Sequence, residues 1–337
     1  MTNQSLFKYP EDRLPNLLAF SALTVTYLGG CYLLFQPTWL VKGIGVMLLA
    51  EAMILVAFFV HEFAHGTVFS QGIWNKRAGK LFMWLSLHGF FSFEKIQQLH
   101  IGHHRNHVDV VLFDFHAYLQ HRPVQKKILQ GLEWLYIPAV ELIVKWHSLL
   151  RIWQNAESPA SERRLIVVAI LIYGGLASVL AIQAPAALLG LGVAYLLLLH
   201  VLRLMDMHQH TYLSYTLDAQ ANSPILPVHD KAYEQANTYS NLFQPPYAWL
   251  NLLVLNFSYH NAHHAKPFIP WCRLPALHQQ QSYQAHELPI SSLFINYHRL
   301  RVARVINPAM GKPELKAMPA KRADTFQGVI GVSFLNA

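Results

Sequence analysis

Three short strings in this sequence have the residue types and spacing to bind metal: His61-Glu62-Phe63-Ala64-His65, His100-Ile101-Gly102-His103-His104 and His260-Asn261-Ala262-His263-His264. Residues three or four apart share a helix face, so each string, folded as a helix, aims two or three imidazoles at one point. A neutral ring nitrogen is the ligating form, and imidazole suits iron and zinc. The eight imidazoles of these boxes are too many for one tetrahedral zinc ion, which takes about four ligands. Their number fits two metal ions. Dinuclear sites in helical folds often use carboxylates on facing helices. Asp and Glu together number only 18 among 337 residues, so the sequence predicts a nitrogen-rich site.

Other readings compete. A lone His-x-x-x-His pair is weak evidence for metal, and HEFAH also fits the zinc protease pattern, with two histidines on zinc and Glu62 as base. That reading leaves both HxxHH strings unexplained. A metal-buffering tract would be of low complexity, whereas these strings lie in mixed, aromatic sequence. A metal transporter would hold its ligands near the bilayer midplane, where only Glu51 and His200 fall.

The elements that must position the boxes are apolar. The chain is 53% hydrophobic and 13% charged, against about 25% charged in soluble domains. Four stretches approach the roughly 20 residues needed to span a bilayer: 17–35, 41–60, 165–182 and 185–205. They pair into two hairpins through short connections at 36–40 and 183–187, both without Lys or Arg. The segment 62–164 and the tail after the fourth span are basic, the latter at Arg299, Arg301, Arg304, Lys321 and Arg322. The positive-inside rule then puts both termini, the middle segment and all three boxes in the cytoplasm. The expected fold is therefore all-α and integral to the membrane: four transmembrane helices in two hairpins, with interfacial helices at 81–93 and 129–150, or in their place a third short hairpin dipping into the membrane, and a histidine-rich cytoplasmic cap. Residues 1–310 form the membrane domain, and 311–337 read as a linker and an apolar tail that docks back on the body. The N-terminus has no cleavable signal pattern. Cys31 and Cys272 support neither a disulfide nor a cysteine-rich metal site. The net charge of +8 suits anionic lipid or an acidic protein partner, and no basic helix or basic–aromatic stripe points to nucleic acid.

The order HxxxH, HxxHH, HxxHH on a four-span frame resembles the membrane fatty acid desaturase family, which also holds acyl hydroxylases, acetylenases and carotenoid-modifying enzymes. The resemblance covers about residues 15–275, and LNFSYHNAHHAKPFIPW around the third box is similar to bacterial members. It implies two iron ions held by His61, His65, His100, His103, His104, His260, His263 and His264, with a ninth histidine near the end of the fourth span. His210, followed by Thr211, matches that position better than His208. It further implies dioxygen as cosubstrate, a long-chain acyl substrate, and electrons from a separate ferredoxin, rubredoxin or cytochrome, because no haem motif is fused to the chain. The implied product is an alkene, with an alcohol, ketone or alkyne as the alternative. A bacterial inner membrane is the implied location. Glu62 stands where many members have Asp, and the same role of orienting a histidine is expected of it. His107, Asp206 and His208 are candidates for contacts just outside the ligands. Glu51, inside the second span, is a functional candidate or a carboxyl hydrogen-bonded to a neighbouring Tyr or Trp.

Overall fold

In a computed structural model of the chain, four helices among the described residues are long and apolar enough to cross a membrane. The structure describes residues 5–111, 115–212, 214–216, 227–280, 286–287 and 290–302. The linker and tail expected at 311–337, with Arg304, lie outside the described residues.

The first hairpin is α1 (Arg13–Leu34) and α2 (Trp39–His65). Their backbones meet closely at glycines. A Cβ on Gly30 would stand 2.7 Å from the Leu49 nitrogen, and one on Gly45 would stand 2.9 Å from Leu33 Cβ. Small residues permit such approach where lipid supplies no hydrophobic drive between helices. α2 is apolar all round, as a central helix should be. It runs five residues past the expected end at 60, so the first box forms its last turns. Gly66, at φ 62°, then ends the helix in the left-handed conformation that glycine adopts without steric penalty.

The middle segment differs from the expected pair of interfacial helices. The first is interrupted: α3 (Gly72–Leu85) and α4 (Phe93–Asn106) are joined by a turn at 86–92. Ser92 caps α4 by accepting the Lys95 N–H at 3.2 Å. Tyr27 of α1 fastens the end of α3 by donating to the Leu85 carbonyl at 2.9 Å. After β1 (Asp109–Val111) and the short α5 (Phe115–Gln120), the second expected helix is also split, into α6 (Pro123–Trp134) and α7 (Ala139–Gln154). Pro138 explains the break, because the residue before a proline is pushed out of the helical region.

The second hairpin is α8 (Ala160–Gln183) and α9 (Pro185–Gln209), joined through Ala184 alone. Only 11% of the apolar window of α8 is buried, against 61% in α2, so α8 faces lipid and α2 is the axis of the bundle. Arg203, buried in α9, is bound by Glu133 of α6 at 2.6 and 2.9 Å and by Glu141 of α7 at 2.5 Å. Pairing of this kind is what a charge within a span requires. His200 is a hydrogen-bonded structural group, with Nε2 2.8 Å from the Tyr136 carbonyl and Nδ1 on the Tyr297 hydroxyl. Glu51 is half-buried in α2, and its Oε1 has no hydrogen-bonding partner among the described residues, Tyr or Trp included.

Beyond α9 the described α-helices and strands are β2 (Ser214–Thr216), α10 (Lys231–Ala236), β3 (Tyr239–Ser240), α11 (His260–Ala265), α12 (Leu274–Gln280), β4 (His286–Glu287) and α13 (Ile290–Leu300), with short 3-10 helices at Ala248–Val254 and Trp271–Arg273. The helical frame stands as expected, with two small additions: β1 pairs in parallel with β2, and β3 with β4. The N-terminal segment bridges Phe7 to Phe69, just beyond the end of α2. α13 packs Leu293 and Tyr297 against Leu204 and Met207 near the end of α9. Both described ends of the chain thus lie on the side of the bundle that carries the boxes.

Candidate metal centre

Each box occupies a helix end. The first is the last turn of α2, the second the last turns of α4, and the third makes up most of α11. Side-chain amides hold these ends together. Gln97 donates to the Ala64 carbonyl at 2.6 Å, tying α4 to α2. Asn261 donates to the Thr238 carbonyl at 2.7 Å and accepts from Ser240 at 2.8 Å, tying α11 to β3. His210 is the first residue after α9; its extended backbone, φ −136° and ψ 148°, bridges to Thr238.

The ring nitrogens converge in two groups. His61, His65, His100, His104 and His263 have ligand atoms all within 4.8 Å of one another, and so do His103, His210 and His264. In the first group Nε2 atoms form a chain: His61 to His263 at 3.1 Å, His263 to His104 at 3.0 Å, His104 to His100 at 3.1 Å and His100 to His65 at 2.8 Å. A neutral imidazole nitrogen carries either one proton or one lone pair. No more than two of these four approaches can therefore be proper hydrogen bonds. A shared ion would account for all of them. Imidazole nitrogens bind such metals at roughly 2.1 Å, and two of them at right angles about one ion lie about 3.0 Å apart. In the second group His210 Nε2 stands 2.8 Å from Nε2 of both His264 and His260. His260 so joins the second group through His210. Nitrogen-only donors of this number fit a pair of imidazole-binding ions such as iron.

The opposite ring nitrogens carry the orienting contacts. His103 Nδ1 donates to the Val108 carbonyl at 2.9 Å and lies 3.4 Å from Asp109, so its Nε2 lone pair is free to point inward. His264 Nδ1 lies 3.3 Å from Glu234 Oε1 and 3.4 Å from the Tyr212 hydroxyl. His61 Nδ1 lies 3.4 Å from Glu62 Oε1, while Glu62 Oε2 accepts from Thr67 at 2.6 Å and from the Trp271 N–H at 3.1 Å. Such outer carboxylates fix tautomer and ring direction. His107, in the left-handed conformation that ends α4, reaches Glu234 with Nε2 at 3.2 Å and the His229 carbonyl with Nδ1 at 2.6 Å.

Burial disfavours the charged imidazole. It holds His100, His104, His210, His260, His263 and His264 well below their ordinary value of 6.5 and His103 at about 4. The neutral, ligating form is therefore the resting form at neutral pH. Burial also raises the Asp109 carboxyl to about 8.

Two candidates stand apart. His208 points back along α9, with Nδ1 3.0 Å from the Leu204 carbonyl, and belongs to neither nitrogen group. Asp206 is half-buried on α9 and is likewise in neither group. Two buried carboxylates were not anticipated from sequence. Asp109 follows the second box by a few residues. Glu234 lies in KAYEQA, where its ion pair with Lys231 at 2.5 Å resembles any solvated helix face.

The family description Fatty acid desaturase matches residues 37–294, a stretch that takes in α2, α8, α9, all three boxes and His210. The chain belongs to the fatty acid desaturase family. Comparison with curated proteins returns no match. Membership makes this desaturase-family protein a membrane oxidoreductase acting on fatty acyl groups, of the desaturase and hydroxylase kind. The family is known for di-iron centres, and the two histidine groups could hold such a pair.

Proposed function

We propose that this desaturase-family member is a dioxygen-dependent di-iron enzyme that introduces a double bond into a long acyl chain. The observation that supports it is the run of Nε2 atoms at 2.8–3.1 Å, too many for hydrogen bonding and spaced as ligands of a common ion. One iron would be held by His61, His65, His100, His104 and His263, and the other by His103, His210 and His264, with His260 beside His210. Bound iron and dioxygen supply the oxidising power that breaks an unactivated C–H bond, which side chains lack.

The protein's own residues do the rest. Glu62, Asp109 and Glu234 hold rings in place from outside, and His107 braces Glu234. Burial of His61, His263 and His264, each 0–2% exposed, keeps bulk water from the reacting centre. Phe257 forms the apolar wall of the site. Its ring centre lies 4.7 Å from His61, 4.8 Å from His260 and 5.0 Å from Phe58 of α2. A methylene pair of the acyl chain would rest against that wall, with the tail among the spans. Electrons come from a separate ferredoxin, rubredoxin or cytochrome, and an acidic carrier suits the net charge of +8. The Lys- and Arg-rich side with the boxes faces the cytoplasm of a bacterial inner membrane.

Product analysis tests the reading. Expressed with a redox partner in a host of defined lipid profile, the enzyme should yield acyl chains lighter by two hydrogens. Chains heavier by one oxygen would make it a hydroxylase, and unchanged lipids in the presence of iron-loaded protein would reject acyl oxidation altogether.

A further inference from the structure

A groove of about 460 Å³ lies apart from the histidines, among α3, α4 and the start of α8. That volume falls within the range of small-molecule sites. Its floor is apolar: Met83, Trp84, Phe91, Phe93 and Leu165. Its rim is ionic, with Lys80 paired to Glu94 at 2.6 Å, and with Glu162, whose partner Lys95, at 3.4 Å, stands outside the lining. The floor continues along α8 into Val168, Leu171 and Ile172, which are exposed and face lipid. An amphiphile is thus matched at both ends, by a lipid-continuous apolar bed and a polar rim at the start of a span. The first turns of α4 and α8 both reach the rim, at Ser92–Glu94 and Ser161–Glu162, and helix N-termini favour a phosphate. The lining carries one ammonium group and two carboxylates, and Lys95 beside Glu162 brings the two pairs to neutrality, so they offer no net charge to an anionic lipid. They complement a headgroup that itself carries both signs.

We infer that this groove binds a glycerophospholipid with a phosphoethanolamine headgroup, its phosphate toward Lys80 and Lys95 and its primary ammonium toward Glu94 and Glu162. One acyl chain lies on Trp84 and Leu165. The bound lipid lies against Phe93, on which α3 packs at Gly79.

Native mass spectrometry of the full-length protein, released from nanodiscs of equal phosphatidylethanolamine and phosphatidylglycerol, reads this directly. Phosphatidylethanolamine should remain as a resolved adduct. The Lys80→Gln/Lys95→Gln variant should retain it about tenfold more weakly. Leu165→Trp, which fills the floor, should lose it while iron content stays unchanged. Equal retention of both lipids, or adducts indifferent to these substitutions, overturns the proposal. If a variant does not fold, a photoactivatable phosphatidylethanolamine on the wild-type protein decides. Cross-links concentrated in 80–94 and 161–165 support the site, and cross-links spread over all lipid-facing helices refute it.

Discussion

Ring nitrogens make the site, and their roles are separable by substitution. Replacing His263 or His210 with Ala removes an Nε2 that approaches two others, and each variant should lose metal and turnover together. His208→Ala should keep metal content near that of the parent, because His208 lies in neither nitrogen group. Metal analysis of the purified variants checks both. Glu234→Gln tests the outer layer. Its carboxylate serves His264 and His107 at once, and loss of such a contact weakens metal affinity roughly 10- to 100-fold. The pH dependence follows from burial. Seven imidazoles, at 100, 103, 104, 210, 260, 263 and 264, have depressed values, so between pH 6.5 and about 4 the unfolded chain binds protons that the folded one does not. Stability of the metal-free protein should therefore be full above pH 6.5 and fall as pH drops through that window. Asp109, raised to about 8, acts in the opposite sense in the same window but is a single group. Thermal unfolding from pH 4 to 8 measures the sum, and a curve that rises toward acid would contradict it. The boxes were legible in sequence because spacing alone marks them. Glu234 was not, since its neighbours Lys231 and Tyr233 give no sign that the chain folds it under His264.

Helices place these atoms, and their packing carries its own expectations. Gly79 of α3 accepts the Phe93 ring so closely that a Cβ there would stand 2.2 Å from it. Gly79→Ala should shift α4 and the second box, destabilise by about 1–3 kcal/mol and lower activity further than the stability loss explains. The buried Arg203 staples α6 and α7 to α9 through Glu133 and Glu141. Removing one partner of a buried pair strands the other, so Glu133→Ala should destabilise by about 3–5 kcal/mol, visible in detergent unfolding curves. The four spans were legible from length and apolarity. The breaks at 86–92 and 135–138 were not, because Leu87, Phe90 and Phe91 carry the apolar run through the first and Leu135, Tyr136 and Ile137 through the second. Tertiary contacts decide the first, where Tyr27 seizes the Leu85 carbonyl. Pro138 decides the second.

On the scale of the molecule, two hairpins bring the ends of α2 and α9 to one side, and the family match over residues 37–294 takes in both ends with the three boxes. The pairing of spans could be read from the two short, uncharged connections. The division of eight box histidines and His210 into two groups could not, because it depends on how α4 and α11 cross the ends of the spans. The central claim is that these groups hold two irons. Metal-to-protein ratio, measured on the protein purified from membranes of cells grown with ample iron and zinc, tests it most directly. Two irons per chain are expected; one zinc per chain without iron would overturn the assignment.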